Sequence, residues 1–192
     1  MILYRILRHL KSIVYILINR HRFKYIGKNV RIYSPLKIDG KPNIYIGNNV
    51  TVEYKTWLAA IPADRIKYAK LEICDGATIG HFNHIYATES IKIGQNVLTA
   101  DKVYISDNLH GYENINIPIQ KQPIRQIAHV EIGDGSWIGE NVCIIGASIG
   151  KGCVIGSNAV VTHNIPDYCV AVGIPAKVIK QFNTETKQWE RI

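Results

Sequence analysis

Aliphatic residues recur at every sixth position through most of this chain of 192 residues. In many repeats a glycine or a polar residue follows, and the register slips by one residue late in the chain. The repeated positions are Ile26, Ile32 and Ile38; Ile73, Ile79, Ile85 and Ile91; Ile93, Thr99 and Ile105; Ile132, Ile138 and Ile144; and, after the slip, Ile149, Ile155 and Val161. Neither a helix with about 3.6 residues per turn nor an alternating hairpin strand has this period, whereas a short strand followed by a corner does. The sequence therefore predicts an all-β solenoid of stacked parallel strands with the aliphatic residues in its core.

Two stretches break the period. Residues 53–71 contain Trp57, Pro62 and a run of charged side chains, which predicts an insertion or a distorted coil. Residues 110–128 contain Gly111 and many polar side chains, which predicts a loop that leaves the solenoid. Loops held by a rigid scaffold commonly carry catalytic or binding residues, so we expect functional residues within 110–128.

The positive charge of the chain lies in its first segment. Nine of the 23 lysines and arginines precede Asp39, which is the first of the 15 acidic residues, so the remainder of the chain is close to neutral. Apolar residues at positions 3, 6, 7, 10, 13, 14 and 17 have helical spacing and predict an amphipathic helix within residues 1–25. Two kinds of partner fit this apolar stripe. It can pack on the body or a neighbouring subunit, or residues 1–24 can make peripheral contact with an anionic membrane.

The same segment and the cysteines indicate a compartment. The uninterrupted apolar stretch at residues 13–18 is far shorter than the roughly 20 residues that a membrane span needs. It lacks a small-residue cleavage site, and the four cysteines contain no C-x-x-C pair. We therefore expect a cytoplasmic protein, peripheral at the inner face of the membrane if the helix binds lipid. No nucleic-acid partner is expected, because the body carries no net positive charge and no nucleic-acid motif.

Three stretches of the repeat region resemble a known superfamily. The [LIV]-G-x-x-x-x repeats, the Gly-Ser-Trp-Ile-Gly motif at residues 135–139 and the run at residues 172–180 are similar to the hexapeptide-repeat acyltransferases, which are left-handed parallel β-helices. The resemblance covers roughly residues 26–180, leaving residues 1–25 as a helical segment and residues 181–192 as a C-terminal tail. It implies left-handed winding and a homotrimer with active sites between subunits.

Within that superfamily, the loop at residues 105–111 resembles the sugar O-acetyltransferases that modify O-antigen, capsule and exopolysaccharide. Maltose, galactoside and nodulation acetyltransferases are more distantly similar. The resemblance implies direct transfer of an acetyl group from acetyl-CoA, the co-substrate, to a hydroxyl of a sugar in a surface polysaccharide or its precursor. Two alternatives remain open: an N-acetyltransferase acting on an amino-sugar nucleotide, and a non-catalytic or metal-binding β-helix module.

Transfer to a hydroxyl needs a base, because an alcohol is a poor nucleophile until its proton is withdrawn. An imidazole suits this task, and the resemblance assigns it to His110. Asp107, Glu113 or a backbone carbonyl could orient the ring, of which Asp107 is our catalytic candidate. By the same resemblance, Asn83 or His84 contacts the acceptor sugar.

The resemblance also maps a cofactor site onto the last coils. Trp137 matches a residue that lines the pantetheine of CoA, and the other matched positions contact the pantetheine or the nucleotide phosphates. These positions are Gly146, Ala147, Ser157, Thr162, Lys177 and Lys180. No metal is expected, because the spacing of His81 and His84 does not match that of the zinc-binding relatives of this fold.

Overall fold

The computed structural model describes residues 2–63 and 67–192. Residues 64–66, which belong to the predicted interruption at 53–71, lie outside the described residues. The described chain begins with one α-helix and continues through 22 short strands. The helices are α1 (Ile2–Asn19) and three 3-10 turns at Arg20–Arg22, Lys41–Asn43 and Ile119–Lys121.

Most strands belong to three parallel sheets that the chain visits in turn. The first sheet contains β1 (Tyr25–Ile26), β4 (Ile44–Ile46), β7 (Lys70–Ile73), β10 (Ser90–Ile93) and β15 (Val130–Ile132). The second contains β2 (Arg31–Ile32), β5 (Thr51–Val52), β8 (Thr78–Ile79), β11 (Leu98–Thr99), β16 (Trp137–Ile138), β18 (Val154–Ile155) and β20 (Cys169–Val172). The third contains β3 (Lys37–Asp39), β6 (Trp57–Ala60), β9 (His84–Ala87), β12 (Tyr104–Ser106), β17 (Cys143–Ile145) and β19 (Val160–Val161). We call one passage through the three sheets a coil.

The predicted aliphatic positions stack in register between coils. Ile46 pairs with Ile73 in the first sheet, and Ile105 pairs with Ile144 in the third. All four side chains are fully buried. The prediction of stacked parallel strands around an aliphatic core is therefore confirmed.

Asparagines form many of the corners between strands. Asn29, Asn49, Asn96, Asn141 and Asn158 all have positive φ, between 54° and 62°. Asparagine tolerates this left-handed conformation better than most residues because its short amide can bond locally. Neighbouring corners are also joined directly, since the amide of Asn29 donates to Asn49 at 3.2 Å and that of Asn141 to Asn158 at 3.3 Å.

Two antiparallel pairs depart from the coils. The predicted loop at 110–128 leaves after the third sheet, and its base is formed by β13 (Asn108–His110) and β14 (Ile124–Gln126). We call residues 108–126 the arm. At the C-terminus, β21 (Lys177–Asn183) and β22 (Gln188–Arg191) extend the second sheet, so most of the segment expected to be a tail is strand.

Helix α1 packs on the first coils through Tyr15, Ile16 and several polar side chains. The hydroxyl of Ser12 accepts a hydrogen bond from the buried N–H of Ile32 at 2.8 Å. Arg8 pairs with Glu53, and its guanidinium lies 3.7 Å from the ring centre of Tyr33. Within residues 2–63 and 67–192, no helix is long and apolar enough to cross a bilayer.

Candidate active site

His110 ends strand β13 at the base of the arm and is exposed to solvent. The strand is held by antiparallel pairing of His110 with Ile124, and the next N–H, that of Gly111, donates to the carbonyl of Pro123 at 2.9 Å. Among the described residues, no hydrogen bond engages the imidazole. The arm thus presents the imidazole to solvent from a backbone that is held on both strands.

Glu113, a candidate partner for that ring, is engaged elsewhere in the arm. Its carboxylate pairs with Arg125 across the hairpin at 2.6 Å. Hydrogen bonds from its own backbone N–H and from Arg125 lower the pKa of Glu113. This carboxylate therefore braces the two strands of the arm.

Asp107 is fully buried at the foot of the arm. Its carboxylate accepts hydrogen bonds from three successive backbone N–H groups, those of Thr88, Glu89 and Ser90, at 2.8, 2.8 and 2.9 Å. The amide of Asn108 donates to it at 2.9 Å. No hydrogen bond joins it to His110 within the described chain. The observed partners of Asp107 anchor the foot of the arm, and its contact with the imidazole stays a prediction.

Asn83 is also buried, at 1% exposure. Its amide nitrogen donates to the carbonyl of Ala100 at 2.9 Å, and its oxygen accepts from the N–H of Val103 at 3.0 Å. Both groups belong to the following coil. The structure thus places the Asn83 amide between two coils, where it bonds to two backbone groups of the next coil. Its contact with a sugar stays a prediction.

His84, by contrast, belongs to an aromatic surface on the third sheet. Its ring stacks on Trp57 with centroids 4.1 Å apart and planes 6° apart, and Tyr86 and Tyr104 flank it. Burial lowers the pKa of His84, and its Nε2 is buried with no hydrogen-bond partner in the described chain. The Trp57 indole in turn donates to the Asp39 carboxylate at 3.0 Å.

The residues predicted to hold CoA fall into two groups. Trp137 is half-exposed on the second sheet, in register with Leu98 and Val154, and Ser157 is exposed at the corner that follows. Lys177 and Lys180 lie on β21, which continues the same sheet.

The second group follows the third sheet. Gly146 and the buried Ala147 come after β17, and the exposed Thr162 comes after β19. Gly146 has a φ of 59°, and the side chain of Ile127 occupies the place of the Cβ that it lacks. One chain thus holds the predicted cofactor residues on two sides of the coil.

Comparison with known proteins now identifies the family. A family profile described as the hexapeptide repeat of succinyl-transferase matches residues 129–163. Over 173 residues, which cover 85% of each chain, the sequence is 36% identical to WbbJ of Escherichia coli, a putative lipopolysaccharide biosynthesis O-acetyl transferase. The chain belongs to the hexapeptide-repeat acyltransferases. The resemblance inferred from the repeats is confirmed.

Solved structures share the fold of this acyltransferase. AntD, an N-acyltransferase from Bacillus cereus solved with dTDP and 3-hydroxybutyryl-CoA, superposes with a TM-score of 0.73 at 21% identity, covering 88% of this chain and 89% of that one. A maltose O-acetyltransferase from Clostridium difficile superposes with a TM-score of 0.55 at 28% identity, covering 86% and 73%.

The structure of this acyltransferase adds residues to which the sequence assigned no role in the site. Thr88, Glu89 and Ser90 form the corner that receives the Asp107 carboxylate, and their composition carries no motif that could have revealed it. Trp57 and Tyr86 were detectable in principle, because each lies next to a buried residue of the third sheet and must face outward. Across the described residues, no group of three or more His, Cys, Asp or Glu side chains is placed to hold a metal ion.

Proposed function

We propose that this acyltransferase moves an acetyl group from acetyl-CoA to a hydroxyl of a sugar in a surface polysaccharide or its precursor. The observation that carries the proposal is the exposed His110 imidazole at the base of a braced arm, which forms no hydrogen bond with any described residue. The named activities of WbbJ and of the maltose O-acetyltransferase support the choice of a sugar hydroxyl.

The chemistry needs one base and two proton transfers. His110 takes the proton of the hydroxyl as the oxygen attacks the thioester carbonyl, which gives a tetrahedral intermediate with a negatively charged oxygen. Collapse of the intermediate breaks the C–S bond, and the imidazolium returns the proton to the departing sulfur. The products are the acetylated sugar and CoA with a free thiol.

Asp107 acts in this proposal as a positioning residue. Its hydrogen bonds to residues 88–90 fix the start of β13, and His110 lies two residues further along that strand. His84 remains the proposed acceptor contact, since its half-buried ring lies among Trp57, Tyr86 and Tyr104 on the outer side of the third sheet.

The two groups of cofactor residues favour a site assembled from two copies. Trp137 and Ser157 lie with the second sheet, whereas Gly146, Ala147 and Thr162 follow the third. We propose that the coils wind left-handed and that a homotrimer brings one group of each copy against the other group of its neighbour, with CoA between them. Lys177 and Lys180 would then bind the phosphates. Residues 26–180 form the catalytic domain in this proposal, with residues 1–25 and 181–192 as appendages.

A second activity is favoured by one observation. The fold is shared with AntD, which is described as an N-acyltransferase and has been solved with an amino sugar linked to dTDP. An amine on a nucleotide-linked sugar is therefore the alternative acceptor.

The test compares acceptors and variants in one assay. Release of the CoA thiol is measured with matched hydroxyl and amine sugars, using wild type, His110→Ala and His21→Ala. His21 is an exposed histidine in the turn after α1, which makes it a matched control. Loss of a general base predicts a decrease of about 10²-fold or more for His110→Ala alone. Wild-type turnover by His110→Ala would overturn the assignment of the base.

The acceptor is then identified in cells. Mass spectrometry of surface glycans from cells with the wild-type protein and with His110→Ala should differ by one acetyl group on a defined sugar. An unchanged glycan profile together with amine transfer in the assay would favour the amino-sugar alternative.

A further inference from the structure

Helix α1 packs on the body with a side that combines polar residues with Tyr15 and Ile16. The residues that face the first coils are Arg8, Ser12, Tyr15, Ile16 and Asn19, which are half-buried or buried. Their spacing of three or four residues places them on one side of the helix. Three of these contacts are polar: Arg8 with Glu53, Ser12 with the N–H of Ile32, and Asn19 with the Lys41 ammonium at 3.0 Å.

The opposite side of α1 is apolar and faces away from the protein. Eight large aliphatic side chains lie there, with exposures from 42% to 73%. They are Leu3, Ile6, Leu7, Leu10, Ile13, Val14, Leu17 and Ile18. We call this set the outer face. A surface helix normally turns its apolar side toward the core, so a contiguous outer face of this size marks a contact with something else.

The charges around the outer face favour an anionic surface over a second copy of the chain as its partner. No acidic residue precedes Asp39, whereas nine lysines and arginines do. Arg8 is neutralised by Glu53, but Lys11 and Arg20 are exposed on the same helix or directly after it. Two copies meeting through their outer faces would bring these like charges together. An anionic surface would instead satisfy them.

The position of the helix also fits a surface. Ser12 bonds to β2, which is the outermost strand of the second sheet, so α1 covers one end of the stack of coils. Tyr4 is exposed at the border of the outer face, as is common for aromatic residues at the level of lipid headgroups. A bilayer at this end leaves the flanks of the coils free for neighbouring subunits.

We propose that the outer face of α1 docks on a bilayer of anionic phospholipid. The helix lies in the plane of the interface, with its aliphatic side chains among the acyl chains and the surrounding lysines and arginines at the headgroups. The docking does not depend on which acceptor the enzyme acetylates.

The test is co-sedimentation of the full-length protein with vesicles. Vesicles of phosphatidylcholine mixed with phosphatidylglycerol are compared with vesicles of phosphatidylcholine alone, at low and at high salt. The variant Leu10→Glu/Leu17→Glu changes two exposed positions on the outer face. Ile192→Glu is the matched control, because this exposed aliphatic residue lies at the other end of the chain.

Wild type and Ile192→Glu should bind the anionic vesicles, and binding should weaken with salt and with loss of the anionic lipid. The double variant should bind at least about tenfold more weakly, because charged groups replace apolar ones at the interface. Circular dichroism and the thermal midpoint should match wild type, because Leu10 and Leu17 are 51% and 73% exposed.

Three outcomes would overturn the proposal. These are failure of wild type to bind anionic vesicles, wild-type binding by the double variant, and a smaller mass of the double variant in analytical ultracentrifugation without lipid. The last result would show that the outer face joins copies of the chain. Acetyl transfer measured without lipid is a separate readout, so failure of docking is distinguishable from failure of the proposed function.

Discussion

The carboxylate of Asp107 accepts hydrogen bonds from both the N–H and the hydroxyl of Thr88, at 2.8 and 2.9 Å. These residues lie on successive coils, and Asp107 is the last residue before the arm begins. A buried charge with this many donors stabilises the corner at residues 88–90 and fixes the direction in which the chain leaves the third sheet.

We expect Asp107→Asn to destabilise the protein by about 2–3 kcal/mol, because an amide NH2 would face backbone N–H donors that it cannot pair with. Urea unfolding measures this loss. The control is Asp134→Asn. The Asp134 carboxylate is exposed and accepts the N–H of Gln95, and water can accept that hydrogen bond in the variant. The pH profile of kcat/KM should not change. A shifted profile with unchanged stability would mean that Asp107 acts on His110 directly.

Asn83→Leu tests the bridge between coils. The substitution leaves the carbonyl of Ala100 and the N–H of Val103 without their side-chain partner, which predicts a loss of about 2–3 kcal/mol in the free energy of unfolding. The KM for the acceptor should remain close to wild type, since the amide is enclosed. A raised KM for the acceptor in a variant of full stability would support a contact between Asn83 and the sugar.

Gly146→Ala tests the contact between Ile127, the first residue after the arm, and the coil. Gly146 has a φ of 59°, and a Cβ there would overlap the side chain of Ile127. Gly135 is the matched control, because its φ is 68° and a Cβ would meet nothing within 4 Å. Gly135→Ala should lose about 1 kcal/mol from backbone strain alone, and Gly146→Ala about 1 kcal/mol more.

Ile127→Ala supplies the double-mutant cycle for this contact. In the Ile127→Ala background, Gly146→Ala should lower the free energy of unfolding only by the contribution of backbone strain, because the steric overlap is removed. Strict additivity of the two substitutions in urea unfolding would show that Ile127 and Gly146 do not interact.

His84 should make stability depend on pH. Because burial lowers the pKa of His84 in the folded protein, the unfolded chain binds the proton more readily. Stability should therefore decrease as the pH falls below the unfolded value of about 6.5, and the decrease should be complete below the lowered folded-state pKa. Thermal unfolding of His84→Phe should show a flatter dependence between about pH 5 and 7. An equal slope in wild type and variant would contradict this assignment.

The sequence predicted the coils because their inward positions depend only on the backbone period. An aliphatic residue at Ile105 or Ile144 must point inward once the strands are stacked. The arm was equally predictable, since residues 110–128 lack the repeat. The uses of Asn83 and Asp107 were not, because each side chain bonds to backbone groups of another coil, and a sequence does not show which of those groups lie in reach.

The orientation of α1 was also outside the reach of the sequence. Helical spacing identifies an apolar side but does not say whether that side faces the body. Ser12 decides this in the structure, because its hydroxyl meets an N–H of the first coil and turns the leucines outward.

That same hydroxyl has a further consequence for how the stack of strands ends. The outermost strand of a sheet offers unpaired N–H groups on which a strand from another chain can add, and repeated addition leads to fibres. Ser12 occupies such a group on β2, and the helix lies over it. Helix α1 therefore blocks the addition of another strand at β2. A chain without the helix would expose this edge strand and would aggregate more readily.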